Sequence, residues 1–311
     1  MRNFRKIIFI LVAMVLILLV FMLQKGEKKE APEALPLVAL STFSLYDIAK
    51  NVSQNTLELF MILPAGVDAH SFELTPKLMA AISRSDAVFY SGAGLEPWTS
   101  GLDFKSKAID MSQHVTLRTL DAEEHHHEEE EHHHHTAVDP HYWLDLDNMV
   151  KATDIITAEF IKIAPQNKEF YTQNSEKYIA MLRALESDYK QALQNCAKDT
   201  IIVNHNAFSY IADKYGFHVE ALSGFSPEAE PSPKNMARLI EHVKEHNVSV
   251  VFFESFVSDK AINSIANEAN ISAQVLHTLE NITADEHKQN LDYENRMRAN
   301  LVQLTKALEC P

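Results

Sequence analysis

Residues 37–63, LVALSTFSLYDIAKNVSQNTLELFMIL, hold two short apolar segments on either side of an amphipathic one. The apolar segments 37–42 and 57–63 have the length and composition of buried strands, and Phe43 to Val52 has helical spacing. A strand, a helix and a second strand in this order predict a βαβ unit with two parallel strands. The stretch therefore predicts an α/β fold built on a parallel sheet.

The same alternation extends along the rest of the chain. It predicts a helix from Pro76 to Arg84, a strand over 86–91 and a fourth strand over 107–110. After residue 199 the alternation starts again, and Pro233 begins a helix where its missing N–H costs nothing. The later strand candidates are Thr200–Val203, Phe217–Ala221, Ser249–Phe253 and Ala273–Leu276, and a last helix runs from about Leu291 to Leu308. The pattern predicts two Rossmann-like lobes, each a mainly parallel sheet flanked by helices.

The segment between the two halves has a helical pattern over nearly its whole length, from Asp147 to Asn195, with Pro165 as an interruption. The piece from Gln166 to Asn195 would be about 45 Å long at the usual rise per residue. Such a helix would join two lobes rigidly. We therefore expect an N-terminal α/β lobe over 37–146, one long rigid linker helix over 147–198 and a C-terminal α/β lobe over 199–311.

The first 36 residues predict export. A basic start is followed by an unbroken apolar run from Ile7 to Leu23 and then by a polar tether over 24–36. The run suits a signal peptide, but it is long for one and no A-x-A cleavage site stands out, so an uncleaved membrane anchor is favoured over a removed signal. No cysteine follows it to carry a lipid. The positive-inside rule places the body in the periplasm, tethered to the inner membrane if the anchor is kept.

Composition narrows the function classes. The 311-residue chain has a formal net charge of −15, which argues against a nucleic-acid partner and suits cations. Its seven glycines argue against glycine-rich phosphate loops. The two cysteines, Cys196 and Cys310, would lie where disulfides persist, so they can pair, but the sequence leaves this open.

Residues 121–135 interrupt the pattern with seven acidic residues and seven histidines. No packed core can be built from this composition, so the tract predicts a mobile loop. Imidazole and carboxylate groups at high density bind zinc, copper and nickel weakly, which favours an auxiliary metal-binding role over that of a plain spacer. The histidines concerned are His125, His126, His127, His132, His133, His134 and His135.

Three other histidines lie where ligands of an α/β protein are expected. His70 follows the strand 57–63 in PAGVDAHSFE, His205 follows Thr200–Val203 in VNHNAF, and His141 in DPHYWLD precedes the long helix. Ligands bind at the carboxyl ends of parallel strands, so the three imidazoles can converge on one cleft. Zinc binds such nitrogens tetrahedrally at about 2.0–2.1 Å. The sequence therefore predicts a zinc site.

A fourth zinc ligand is still needed. Glu280, after the strand Ala273–Leu276, is the candidate, and water is the alternative. Glu254, at the end of a strand, is expected to be buried and hydrogen-bonded. The remaining histidines are expected at the surface (His218, His242, His246, His287) or in structural roles (His114, His277).

Five segments resemble, in the same order, the metal-specific solute-binding proteins of ABC transporters, in particular the zinc-uptake branch. They are PAGVDAHSFELTP, YSGAGLEPW, DPHYWLD, NHNAFSYIADKYG and SPEAEPSPKNMARLIEHVKEHNVSVVFFES, and the similarity extends from about Leu37 to Leu308. The resemblance implies two α/β lobes joined by a long helix, with ligands at His70, His141 and His205. Many relatives have aspartate where this chain has Glu280, so this position departs from the family pattern. Manganese-type relatives have glutamate where this chain has His205, so the histidine favours zinc over manganese.

The function implied by the resemblance is a high-affinity zinc receptor, not an enzyme. It would capture Zn²⁺ outside the cytoplasmic membrane and deliver it, as a monomer, to the ABC transporter membrane permease. One alternative is a zinc-dependent hydrolase, because three histidines and a water are also a catalytic arrangement, although H-E-x-x-H is absent. The other alternative is a manganese-type metal receptor or adhesin.

Overall fold

The computed structural model describes residues 34–101, 107–120, 137–223, 233–245, 248–254 and 260–311, together with Lys6, 8–9 and 11–17 near the N-terminus. Met1 to Leu35 and Pro36 to Pro311 are separate units. Residues 11–17 are helical, and within the described ranges no helix is long and apolar enough to cross a membrane. Most of the predicted tether and the whole histidine tract 121–135 lie outside the described residues.

The first sheet has four parallel strands in the order β2-β1-β3-β4, as the sequence predicts for this half. The strands are β1 (Leu37–Leu40), β2 (Glu58–Met61), β3 (Ala87–Tyr90) and β4 (Ala108–Asp110), with helices α1 (Phe43–Ser53) and α2 (Pro76–Arg84) between them. β1 lies inside the sheet, and Val38, Ala39 and Leu40 are fully buried. This explains why the strand is apolar at every position, as in sheets covered on both faces.

The second sheet is also parallel, in the order β10-β9-β7-β8. Its strands are β7 (Thr200–His205), β8 (His218–Ser223), β9 (Val250–Phe253) and β10 (Ser272–Val275), with helices α5 (Ser209–Tyr215), α6 (Pro233–Glu245) and α7 (Lys260–Ala269) between them. β7 continues two residues beyond the predicted end at Val203. His205 is therefore the last residue of a buried central strand, which fixes its backbone.

The linker contains the long helix that the sequence predicted, and Pro165, which was predicted as an interruption, separates it from a shorter helix before it. α3 (Leu146–Ile163) ends before Pro165, a single 3₁₀ turn follows, and α4 (Lys168–Ala192) continues. Proline has no N–H and its ring displaces the preceding turn, so the helix breaks there. α3 and α4 pack against each other, and α4 packs against α1 and the C-terminal helix α9 (Tyr293–Ala307), which follows the short helix α8 (Ala284–Lys288).

A disulfide joins Cys196, just after α4, to Cys310 near the C-terminus. The backbone beside it is paired as well, since the N–H of Lys198 donates to the carbonyl of Leu308 at 2.9 Å. The C-terminus is therefore fixed to the end of the linker helix.

A two-stranded antiparallel ribbon connects the N-terminal sheet to α3, and the sequence did not predict it. β5 (Arg118–Leu120) pairs with β6 (Ala137–Asp139), with Arg118 opposite Asp139. Both strands are only three residues long, which is too short for a periodic signal. The ribbon places Leu120 and Ala137, the described residues on either side of the histidine tract, opposite each other.

Candidate metal centre

Three histidine side chains from distant segments of the chain meet at one point. His70 lies in the loop after β2, His141 follows β6, and His205 ends β7. The Nε2 atom of His141 is 3.3 Å from that of His70 and 3.4 Å from that of His205. Two nitrogens bound tetrahedrally to one zinc ion are about 3.3 Å apart, from the usual zinc–nitrogen distance. These two distances suit tetrahedral zinc, and one ring nitrogen of each of the three histidines lies within 4.8 Å of those of the other two.

A buried carboxylate orients the ring of His141 and another orients that of His205. His141 faces Asp139 Oδ1 with its Nδ1 at 2.8 Å, and its backbone N–H donates to the same oxygen at 2.9 Å. His205 Nδ1 is hydrogen-bonded to Glu254 Oε1, so Glu254 is buried and hydrogen-bonded as the sequence predicted. A proton held on Nδ1 leaves the Nε2 lone pair free for a metal and raises its basicity.

Glu280 lies beside the three imidazoles and is completely buried. Its Oε2 is 3.8 Å from His70 Nε2, and neither carboxylate oxygen has a hydrogen-bond partner in the described part of the chain. Burial raises the pKa of Glu280 well above its ordinary value, and the carboxylates of Glu254 and Asp68 raise it further. A buried carboxylate without a partner is costly, and a divalent cation would supply the missing charge.

His70 is held in the neutral form that binds metals. Burial lowers its pKa to about 2, and the neighbouring rings of His141 and His205 contribute in the same direction. Metal ions bind neutral imidazole, so protons hardly compete at His70 near neutral pH. The backbone N–H of His70 donates to Asp68 Oδ1 at 3.1 Å, which fixes the loop around it.

The Glu280 loop is bonded to the segments that carry two of the histidines. Trp143 Nε1, two residues after His141, donates to the carbonyl of Thr278 at 2.7 Å. The side-chain amide of Asn281 donates to the carbonyls of Pro64 and Val67, both at 2.7 Å, in the loop that leads to His70. These bonds set the position of the Glu280 loop relative to the segments that carry His70 and His141.

Sequence reasoning missed five of these supporting residues: Asp68, Asp139, Trp143, Thr278 and Asn281. A signal existed for two of them, because an aspartate stands two residues before both His70 and His141. The contacts of the other three join segments more than 130 residues apart, and no local pattern marks them.

The other histidines lie away from this point or outside the described residues. His114, His218 and His287 are exposed, and His242 lies 3.7 Å from Glu220. His277 accepts a hydrogen bond from Arg296 at 3.1 Å. Burial, and to a smaller extent the positive charge of Arg296, lowers the pKa of His277 to about 4. His246 and the seven tract histidines lie outside the described residues. In the described part of the chain a second group with metal-ligand spacing, Asp68, His70 and Glu280, overlaps the first.

The chain is similar to known proteins over most of its length. The family model described as "ZnuA: Zinc-uptake complex component A periplasmic" matches residues 38–307. The chain is 35% identical over 278 residues to the high-affinity zinc uptake system protein ZnuA of Bacillus subtilis, with 87% of each chain aligned. It is 30% identical over 301 residues to the zinc-binding lipoprotein AdcA of Streptococcus pneumoniae, covering 93% of this chain but only 59% of AdcA.

Solved structures match as well. The Zn(II)-bound ZnuA-like domain of Streptococcus pneumoniae AdcA superposes with a TM-score of 0.75 at 27% identity, covering 89% of this chain and 100% of that one. The laminin binding protein of Streptococcus agalactiae, described as having adhesin and metal transporting activity, gives a TM-score of 0.77 at 30% identity, covering 88% and 99%.

Proposed function

Because the chain belongs to the ZnuA family, the periplasmic A components of zinc-uptake complexes, we propose that it captures Zn²⁺ through His70, His141, His205 and Glu280. The protein is a zinc-binding solute receptor of the zinc-uptake type. The observation that carries the ligand assignment is the 3.3 and 3.4 Å spacing of the three Nε2 atoms. Glu280 supplies the fourth ligand, which gives three neutral nitrogens and one carboxylate.

The captured ion is passed to an ABC-type import permease, and the receptor acts as a monomer outside the cytoplasmic membrane. The basic start and apolar run of the first 23 residues support a periplasmic location, with the N-terminal segment as a tether to the inner membrane. Release requires the ligand-bearing segments to separate, because all three imidazoles are needed to hold the ion tightly.

The protein is not an enzyme. A catalytic zinc keeps an open position for water or substrate, and with Glu280 as the fourth ligand no such position would be left. Zinc-loaded protein should hydrolyse neither ester nor peptide substrates above the rate of free zinc. Turnover that disappears in the His205→Ala variant would contradict this proposal.

The tract 121–135 binds further zinc ions weakly and raises the zinc concentration near the site. Deleting these 15 residues should remove the weak phase of a zinc titration and leave one tight ion per chain. If the deletion removed the tight ion, the proposed ligand set would be wrong.

The ligand assignment is tested by zinc competition against a chromophoric chelator, using the chain without residues 121–135 in mild detergent. His205→Ala should weaken zinc binding at least about 100-fold, more than loss of an orienting partner does. His287→Ala, at an exposed position, is the matched control and should bind like the parent. Equal affinity in parent and His205→Ala would refute the site. Running Mn²⁺ in parallel tests the preference for zinc.

A further inference from the structure

Helix α5 follows His205 after only three residues, and its first two residues are bonded to the segment that carries His141. Ser209 Oγ donates to Asp139 Oδ2, and the other oxygen of this carboxylate holds His141. The hydroxyl of Tyr210 donates to the backbone carbonyl of Asp139 at 2.8 Å. The start of α5 therefore ties the strand that ends in one histidine to the residues just before another.

The other end of α5 is bonded to the same region by charged groups. Asp213 forms an ion pair with Arg118 on β5, the strand opposite Asp139. The neighbouring residue, Lys214, places its Nζ 2.8 Å from Asp145 and 2.7 Å from Asp147. Both carboxylates lie at the start of α3, within six residues of His141.

A third carboxylate completes this cluster. Lys214 Nζ is also 2.7 Å from Glu186 on α4, so one ammonium group bridges α5 to both helices of the linker. Its side chain is 23% exposed, so the ammonium group is largely shielded from water but can still be reached by dissolved salt. Burial alone would lower the pKa of Lys214, but the hydrogen bonds that it donates to Asp145, Asp147 and Glu186 raise it above its ordinary value. The cation is therefore permanent, and its three partners are carboxylates that are not candidate ligands.

From these contacts we propose that α5 couples His205 to His141, and that Lys214 is a positioning residue which sets how fast zinc leaves the site. The inference rests on the proposed zinc-binding function. When the Lys214 bridges break, the end of α5 separates from α3, and the two imidazoles lose their fixed 3.4 Å spacing. Ion release is then limited by the opening of this bridge as well as by the zinc–nitrogen bonds.

The test replaces Lys214 by methionine, which keeps most of the apolar stem and removes the charge. Zinc-loaded full chain is mixed with excess chelator, and the slow phase of zinc release is followed, since ions on the tract leave in the fast phase. Lys214→Met should release zinc about fivefold faster than wild type, within the range for residues that couple two sites. Lys214→Arg, which keeps the charge, should restore most of the wild-type rate.

Salt dependence separates this role from a general loss of stability. Wild-type release should accelerate between about 0.05 and 0.5 M KCl as the bridge is screened, and release from Lys214→Met should not. The matched control is Arg183→Met, because Arg183 bonds two of the same carboxylates, Asp147 and Glu186, but lies on α4 and not on α5. It should lower thermal stability without accelerating release.

The outcomes distinguish the proposed zinc-binding function from the proposed role of Lys214. If wild-type protein holds no tight zinc, the proposed function fails. If wild type binds tightly but Lys214→Met releases zinc at the wild-type rate, or Arg183→Met accelerates release equally, the coupling role of Lys214 is refuted.

Discussion

Replacing Asp139 by asparagine should weaken zinc binding while leaving the fold intact. The Asp139 side chain is fully buried and accepts hydrogen bonds from His141 Nδ1, from the His141 backbone N–H and from Ser209. Asparagine has the same shape, and its carbonyl oxygen can still accept from His141. The substitution therefore removes the negative charge behind the ring and reverses the bond to Ser209, whose hydroxyl then accepts from the asparagine amide.

The size of the effect follows from the hydrogen bond that changes. A bond to a charged acceptor contributes about 1.5–3 kcal/mol and a neutral one about 0.5–1.5 kcal/mol, so the loss is about 1–2 kcal/mol. Because the carboxylate raises the basicity of the imidazole, most of this loss should appear in metal binding. The zinc dissociation constant should rise about 5- to 30-fold.

Chelator competition measures this constant, and thermal unfolding of the zinc-free protein checks the fold. Asp110→Asn is the matched control, because Asp110 accepts bonds from the N–H and hydroxyl of Ser112 at 3.0 and 2.6 Å and caps a turn of the N-terminal lobe. An Asp139→Asn protein with wild-type affinity would show that the carboxylate does not orient His141 for a metal.

Three further substitutions should raise or lower the stability of the protein. Glu280→Gln should raise the melting temperature of the zinc-free protein, because it removes a buried carboxylate without a partner. The same substitution should weaken zinc binding at least about tenfold. A lower melting temperature of the zinc-free variant would contradict this prediction. Burial raises the pKa of Asp47 from 3.8 to about 6, so the folded state binds a proton more tightly than the unfolded state does. The contribution of Asp47 to the free energy of unfolding is therefore fully present below pH 3.8 and is lost as the pH rises through 6. Asp47→Asn should therefore stabilise the zinc-free protein by up to about 3 kcal/mol at pH 7.5 but not at pH 4 in urea unfolding, and an equal effect at both pH values would refute the assignment. Replacing both Cys196 and Cys310 by serine removes a disulfide that joins residues with a sequence separation of 114. The double variant should have a free energy of unfolding about 2–4 kcal/mol lower and nearly the same zinc affinity. Unchanged stability would contradict this prediction.

Sequence alone predicted the parallel sheets because buried strands of this kind are short, apolar and separated by helices with clear periodicity. The predicted helix Pro76–Arg84 has the same bounds in the structure, where Thr75 caps it and Pro76 occupies its first turn. His70, His141 and His205 were selected because each lies at or beyond a strand end or just before α3, and the topology brings these points together. Both inferences depend on local signals.

What the sequence could not supply are contacts between distant segments. The Trp143–Thr278 bond spans 135 residues, and the bridges from Lys214 to α3 and α4 join charges that are ordinary surface residues in any local pattern. Pro165 predicted an interruption in the linker, but its form could not be predicted. The structure shows a single 3₁₀ turn between the two helices.

The short ribbon of β5 and β6 has a consequence for how this protein can vary. Arg118 pairs with Asp139 and Leu120 pairs with Ala137, so the two strands that flank the histidine tract end opposite each other. An insertion or deletion between these strands changes the entropy of a closed loop only slowly with its length. The tract can thus be lengthened, shortened or exchanged for another composition while the residues leading to His141 stay in register.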